Sequence, residues 1–209
     1  MKLLKKGKSH FIFILILLIL AGLLERIVYF HYDELSQHPI VINSYLSVFP
    51  DYNSTGNWIH GRLGIGYNRW LLLLEHAVTL LIVFLLFRYL DAMGRFFKLS
   101  PHWLYPADAG IAAALYRLIT RMRGSFTLDY LCIKGHVFDF PDLYIGAFIG
   151  GILIYFIPLL IAYYKYIREK VKGINLIRRN IWELKFAYMF MRMTVSPEEK
   201  WQDEFNLWQ

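Results

Sequence analysis

Cysteine is all but missing: Cys132 is the only one in 209 residues. No intramolecular disulfide can form, and a lone loop thiol without a lipid-anchor context reads as a bystander. Charge is sparse too, at 19% of residues. No second histidine stands at ligand spacing from His76, so a zinc-type site is not expected, nor any metal or cofactor. No small-residue cleavage site follows the first apolar run, so that run is expected to stay in the chain. Internal repeats and paired broken helices are lacking as well, which argues against a secondary transporter.

What the chain has is apolar surface. Hydrophobic residues make up 57% and aromatic residues 18%, above the roughly 45–50% apolar share of soluble domains. Charge-poor runs predict four membrane spans, at about 11–30, 70–90, 104–119 and 144–164. Lys and Arg concentrate in residues 1–9, 88–103 and 165–209. That asymmetry places both termini in the cytoplasm. The formal net charge of +7 is accounted for by these flanks and by lipid headgroups, and nucleic acid is not an expected partner.

The expected fold is an all-α membrane protein. One transmembrane domain covers residues 1–172, and a cytoplasmic amphipathic tail covers 173–209. Residues 33–69 form an extracytoplasmic segment with short strands at Ile40–Ile42 and Tyr45–Phe49. Gly146, Gly150 and Gly151 have the small-residue spacing that allows close helix contact. In the tail, Ser196, Pro197 and Glu199 form a helix-start signature. Trp201, Phe205 and Trp208 then share one face, suited to lipid or to another subunit of a membrane complex.

The stretch from Ala113 to Gly150 carries the chemistry. An apolar helix bearing Arg117, Thr120 and Arg121 runs out into a polar loop, and Asp142 stands where the next apolar helix begins. Ionisable groups at membrane depth are costly and therefore functional candidates. Three blocks, AAALYRLITR ending at Thr120-Arg121, then Thr127-Leu128-Asp129-Tyr130, then Phe138-Asp139-Phe140-Pro141-Asp142, resemble the lipoprotein signal peptidases. These are bacterial inner-membrane aspartyl proteases that cut before a lipidated cysteine. The resemblance covers about residues 10–170. Asn53-Ser54-Thr55-Gly56 is loosely similar to a further family segment, and Glu25 matches an acidic position in the first span.

The resemblance aligns the family's first catalytic aspartate with Thr120, its third-helix asparagine with Arg117 and its second aspartate with Asp142. It also implies ligand-binding roles for Arg121, Asp129, Arg117 and Asn53. Two carboxylates sharing one proton are what amide hydrolysis by this chemistry needs. A threonine hydroxyl cannot replace one of them. The expectation is therefore a protein of the signal peptidase fold that has lost catalysis. It would bind lipoprotein or lipid, or serve as a subunit of an inner-membrane complex. An active divergent peptidase, with Asp139 or Asp129 as substitute carboxylate, is the alternative; a purely structural subunit is a third. Glu75 and Arg117 lie at similar depth on antiparallel spans, and a structural ion pair between them is expected, against anion binding by Arg117 and Arg121.

Overall fold

The computed structural model describes residues 2–53, 58–64, 66, 68–123 and 127–170, with positions 181, 185 and 188. The expected tail contacts Trp201, Phe205 and Trp208 lie outside the described residues.

Among the described residues, three helices are long and apolar enough to cross a membrane: α1 (Lys2–Phe30), α4 (Arg69–Phe96) and α6 (Phe140–Lys170). The chain is a helical membrane protein. Phe11, Ile16, Ile19 and Leu23 on α1 are open to the surroundings, as suits a solvent of lipid tails. The expected span at 104–119 coincides with α5 (Tyr105–Arg123). It is not among the three, because Asp108, Arg117, Arg121 and Arg123 interrupt its 19 residues. Two short helices, α2 (Tyr32–Gln37) and α3 (Trp58–Leu63), flank the sheet region in sequence.

The strands expected in residues 33–69 are present as β1 (Ile40–Asn43) and β2 (Leu46–Asn53). They pair with two further strands, β3 (Thr127–Ile133) and β4 (His136–Phe138), in one antiparallel sheet of order β1-β2-β3-β4. Lys134 and Gly135 join β3 to β4, both with positive φ (49° and 82°). That is the conformation a two-residue hairpin requires, and glycine adopts it without strain. Register between β2 and β3 slips between Val48 and Asp51, then sets Asp51 against Asp129 and Asn53 against Thr127. A slip of this kind re-aims side chains, and it brings Asn53 beside Asp129.

The structure gathers into two compact units. Residues 1–83 and 105–149 form the first. Here Ala109, Ala112, Ala113 and Tyr116, one face of α5, pack with Ala21 of α1 and Tyr144 of α6. At the end of that face away from Arg121, buried Asp108 meets His10 Nδ1 at 2.6 Å. Val28, Leu35, Leu128 and Tyr130 form a second cluster beneath the sheet. Residues 84–104 and 150–209 form the other unit, with Leu90, Met93, Leu104, Tyr155 and Leu159 at its core.

The close contact expected at Gly146 and Gly150 lies elsewhere. A Cβ on either would meet nothing within 4 Å, whereas one on Gly110 would sit 2.7 Å from the Phe148 ring. Gly110→Val is therefore expected to destabilise by about 1–3 kcal/mol through overpacking. Gly146→Ala, in open space, should leave the thermal midpoint in detergent nearly unchanged.

Candidate functional site

The site is built where α6 begins. Asp139 is the residue before the helix, and Asp142 is three further on. The Asp142 backbone N–H donates to Asp139 Oδ1 at 3.0 Å, and the Asp139 N–H donates to Asp142 Oδ2 at 3.3 Å. This reciprocal pair is a capping box made of two aspartates. It satisfies helix-end donors and fixes both carboxyl groups at the positive end of the helix dipole.

Arg117 reaches this pair from α5. Its Nη2 donates to Asp139 Oδ1 at 2.8 Å and to Asp142 Oδ1 at 2.7 Å. The expected partner was Glu75, and the structure replaces it. Glu75 Oε1 instead meets Nε2 of buried His60 at 2.7 Å. Depth along a helix does not say which way around it a side chain points. The α5 face bearing Arg117 points to the start of α6.

Asp129 enters from β3. Its Oδ2 accepts from Asn53 Nδ2 at 3.0 Å, while its Oδ1 is buried and, among the described residues, without a partner. One oxygen from each of Asp129, Asp139 and Asp142 lies within 4.8 Å of the other two. Asp142 is therefore not a lone acid. Thr120 is half-buried on α5. Arg121 is fully buried; its Nη2 donates to Thr127 Oγ1 at 3.3 Å and its backbone carbonyl accepts from Arg69 Nε at 3.0 Å. It joins the end of α5 to β3 and to the start of α4. Of the expected ligand-binding residues, Arg117, Asp129 and Asn53 come together around Asp142, while Arg121 lies in the wall behind.

Exposure separates the three acids. The Asp142 side chain is 39% exposed and that of Asp139 only 5%. Burial pushes Asp129 up to about 6, against the pull of Arg117 and with a smaller push from the Asp142 charge. Asp139 is also raised, first by burial, with Arg117 opposing and Asp142 and Asp129 adding to it. The arrangement thus holds a proton near one accessible acid at mildly acid pH, the condition that makes a carboxyl pair useful for acid–base work. Three carboxylates are also a possible set for a hard cation. Here, however, a guanidinium already supplies the counter-charge to two of them.

The comparisons with known proteins agree with this geometry at the level of architecture. No family model matches the chain, and no curated protein matches it. Among solved structures, a bacterial membrane enzyme aligns over 80% of this chain and 93% of its own, with a TM-score of 0.50 and 13% identity. The chain shares that enzyme's fold. A second bacterial membrane enzyme aligns over 73% of this chain and 93% of its own, at 15% identity and a TM-score of 0.46.

Proposed function

We propose that this protein is an active membrane-embedded aspartyl peptidase resembling the lipoprotein signal peptidases, with Asp129 and Asp142 as its working pair. The observation that carries the reading is the approach of these carboxylates to within 4.8 Å of one another. It favours the active alternative over the degenerate one, because the second acid comes from β3 rather than from position 120. Asp139 is set aside as the partner: its Oδ1 is committed to the helix cap and to Arg117.

In this reading Asp142 takes a proton from water as the water oxygen bonds to the scissile carbonyl carbon. Asp129 gives its proton to the carbonyl oxygen. Collapse of the tetrahedral species then breaks the C–N bond, with a proton passing to the leaving nitrogen. Asn53 orients Asp129 through Oδ2. The substrate proposed is a lipid-anchored prolipoprotein at the outer face of a bacterial cytoplasmic membrane, with α5 as a fourth span and both termini inside. The charge distribution of the sequence supports that orientation.

The test is cleavage of a diacylglyceryl-modified prolipoprotein by the purified protein in detergent. Asp142→Asn should reduce the rate at least about 10³-fold, and Thr120→Ala should leave it within about twofold. Binding of the lipidated substrate with no cleavage by the native protein would return the reading to a lipoprotein-binding pseudopeptidase. The close hold of Arg117 on Asp142 is the feature that favours this rival.

A further inference from the structure

Arg117 is the feature that the peptidase reading leaves without a task. It stands where the resembling family carries an asparagine, and it brings a full charge to a site that already contains three acids. A neutral amide in the same place could orient a carboxyl group but could not choose which one is charged. The contacts of Arg117 are unequal across the pair: Nη2 lies 2.7 Å from Asp142 Oδ1, and its other bond goes to Asp139. Among the described residues, Asp129 receives a neutral donor, Asn53, on one oxygen and no hydrogen bond on the other.

We infer that Arg117 is a positioning residue that assigns the roles within the pair, holding the negative charge on Asp142 and leaving the shared proton on Asp129. The inference rests on the reading of those two acids as a working dyad. Two carboxylates in similar surroundings would share the proton between them, and either could act as base. An opposite charge bonded to one of them breaks that symmetry, because a nearby cation favours the ionised form of its own partner.

The charged groups that face Asp142 are Arg117 from α5, Asp129 from β3 and Asp139 just ahead of α6. Asp139 cannot take over the role. Its Oδ1 is engaged by the Asp142 backbone and by Arg117, and its side chain is nearly closed off. The upward push of burial on Asp129 acts in the same direction as the geometry. The consequence for the reaction is directional. Water is deprotonated on the exposed side, at Asp142, and the proton donor is the buried acid beside Asn53.

The deciding experiment reads protonation directly. Aspartate is labelled with ¹³C at the side-chain carboxyl, and the Asp129 and Asp142 signals are assigned from their Asn variants. Spectra of the native protein in detergent are then followed between pH 3 and 9. At pH 5 the native protein should show an ionised Asp142 and a protonated Asp129. Equal sharing, or the reverse order, would overturn the assignment, and this arm needs no variant at Arg117.

Arg117→Gln should bring the two signals together and move the acid limb of kcat/KM to higher pH. Arg117→Lys, which keeps a cation there, should restore the native order. An unchanged order in Arg117→Gln would leave Arg117 a merely structural ion-pair residue and overturn the inference. The two readings fail separately. The expected spectra with no cleavage of lipidated substrate would sink the peptidase reading and leave the charge assignment standing. Cleavage with the wrong spectra would do the reverse.

Discussion

Asp129→Asn is expected to abolish cleavage and at the same time to raise the melting temperature at pH 8. The two effects have one cause. Asp129 is buried on β3, and burial lifts its carboxyl from the ordinary range near 3.9 to about 6. A folded-state value raised in this way means that the fold favours the neutral acid. Its contribution to stability is complete below about pH 4 and is lost as the pH rises through about 6. At pH 8 the native protein carries a buried charge that costs roughly 2–3 kcal/mol. Asparagine never ionises and can still accept from Asn53. The variant should therefore melt higher at pH 8, with the difference closing by pH 4. Loss of the proton donor should lower kcat/KM by at least about 10³-fold.

The same value fixes the alkaline side of the native pH profile, since activity that needs a protonated Asp129 falls as the pH rises through about 6. Equal melting of the two proteins at all pH values would remove the claim that Asp129 is held neutral. Undiminished cleavage by the variant would remove Asp129 from the pair.

The sequence exposes different parts of this protein to different degrees. α1, α4 and α6 are legible because a lipid-crossing helix must be nearly free of charge over its length, and composition alone records that. α5 is harder. Its buried face of Ala109, Ala112, Ala113 and Tyr116 follows helical spacing, but Asp108, Arg117 and Arg121 break the apolar run. The segment from Thr127 to Phe138 reads as a polar loop because its strands are short. The turn signal was nonetheless there, in Lys134-Gly135 between two strings of β-forming residues.

The approach of Asp129 to Asp142 is hidden in the sequence for a physical reason of the same kind. Linear alignment to a family motif assigns roles by position along α5, and it put the first acid on Thr120. The side chain that approaches Asp142 is instead delivered by a strand, through the β2–β3 register and its slip. Pairing across a sheet is a non-local property, and a single sequence does not state it. The Glu75–Arg117 pairing failed for a related reason. Depth along an axis is countable, but the direction around it depends on what packs there, and His60 of α3 takes Glu75.

Asp139 gives the second large effect, and its two natural substitutions should separate structure from chemistry. Asp139→Ala removes the cap of α6 and one of the two partners of Arg117 together. A lost cap costs about 1 kcal/mol, and depriving a buried guanidinium of one of its two acceptors costs about 1–3 kcal/mol. The penalties overlap, because the same oxygen, Oδ1, serves both contacts, and Arg117 keeps Asp142 as a partner. The expected loss is therefore about 2–3 kcal/mol, read as a lower midpoint in thermal or denaturant unfolding.

Asp139→Asn should behave otherwise. Asparagine is as good a helix cap as aspartate, and its carbonyl oxygen can still accept from Asp142 and Arg117. It removes only a charge that burial already disfavours, so stability should fall by no more than about 1 kcal/mol. In the reading that pairs Asp142 with Asp129, cleavage should survive within about tenfold. If Asp139→Asn were as inactive as Asp142→Asn while Asp129→Asn still cut its substrate, the working pair would be the two acids of the capping box. The strand residue would then have only a supporting place beside Asn53.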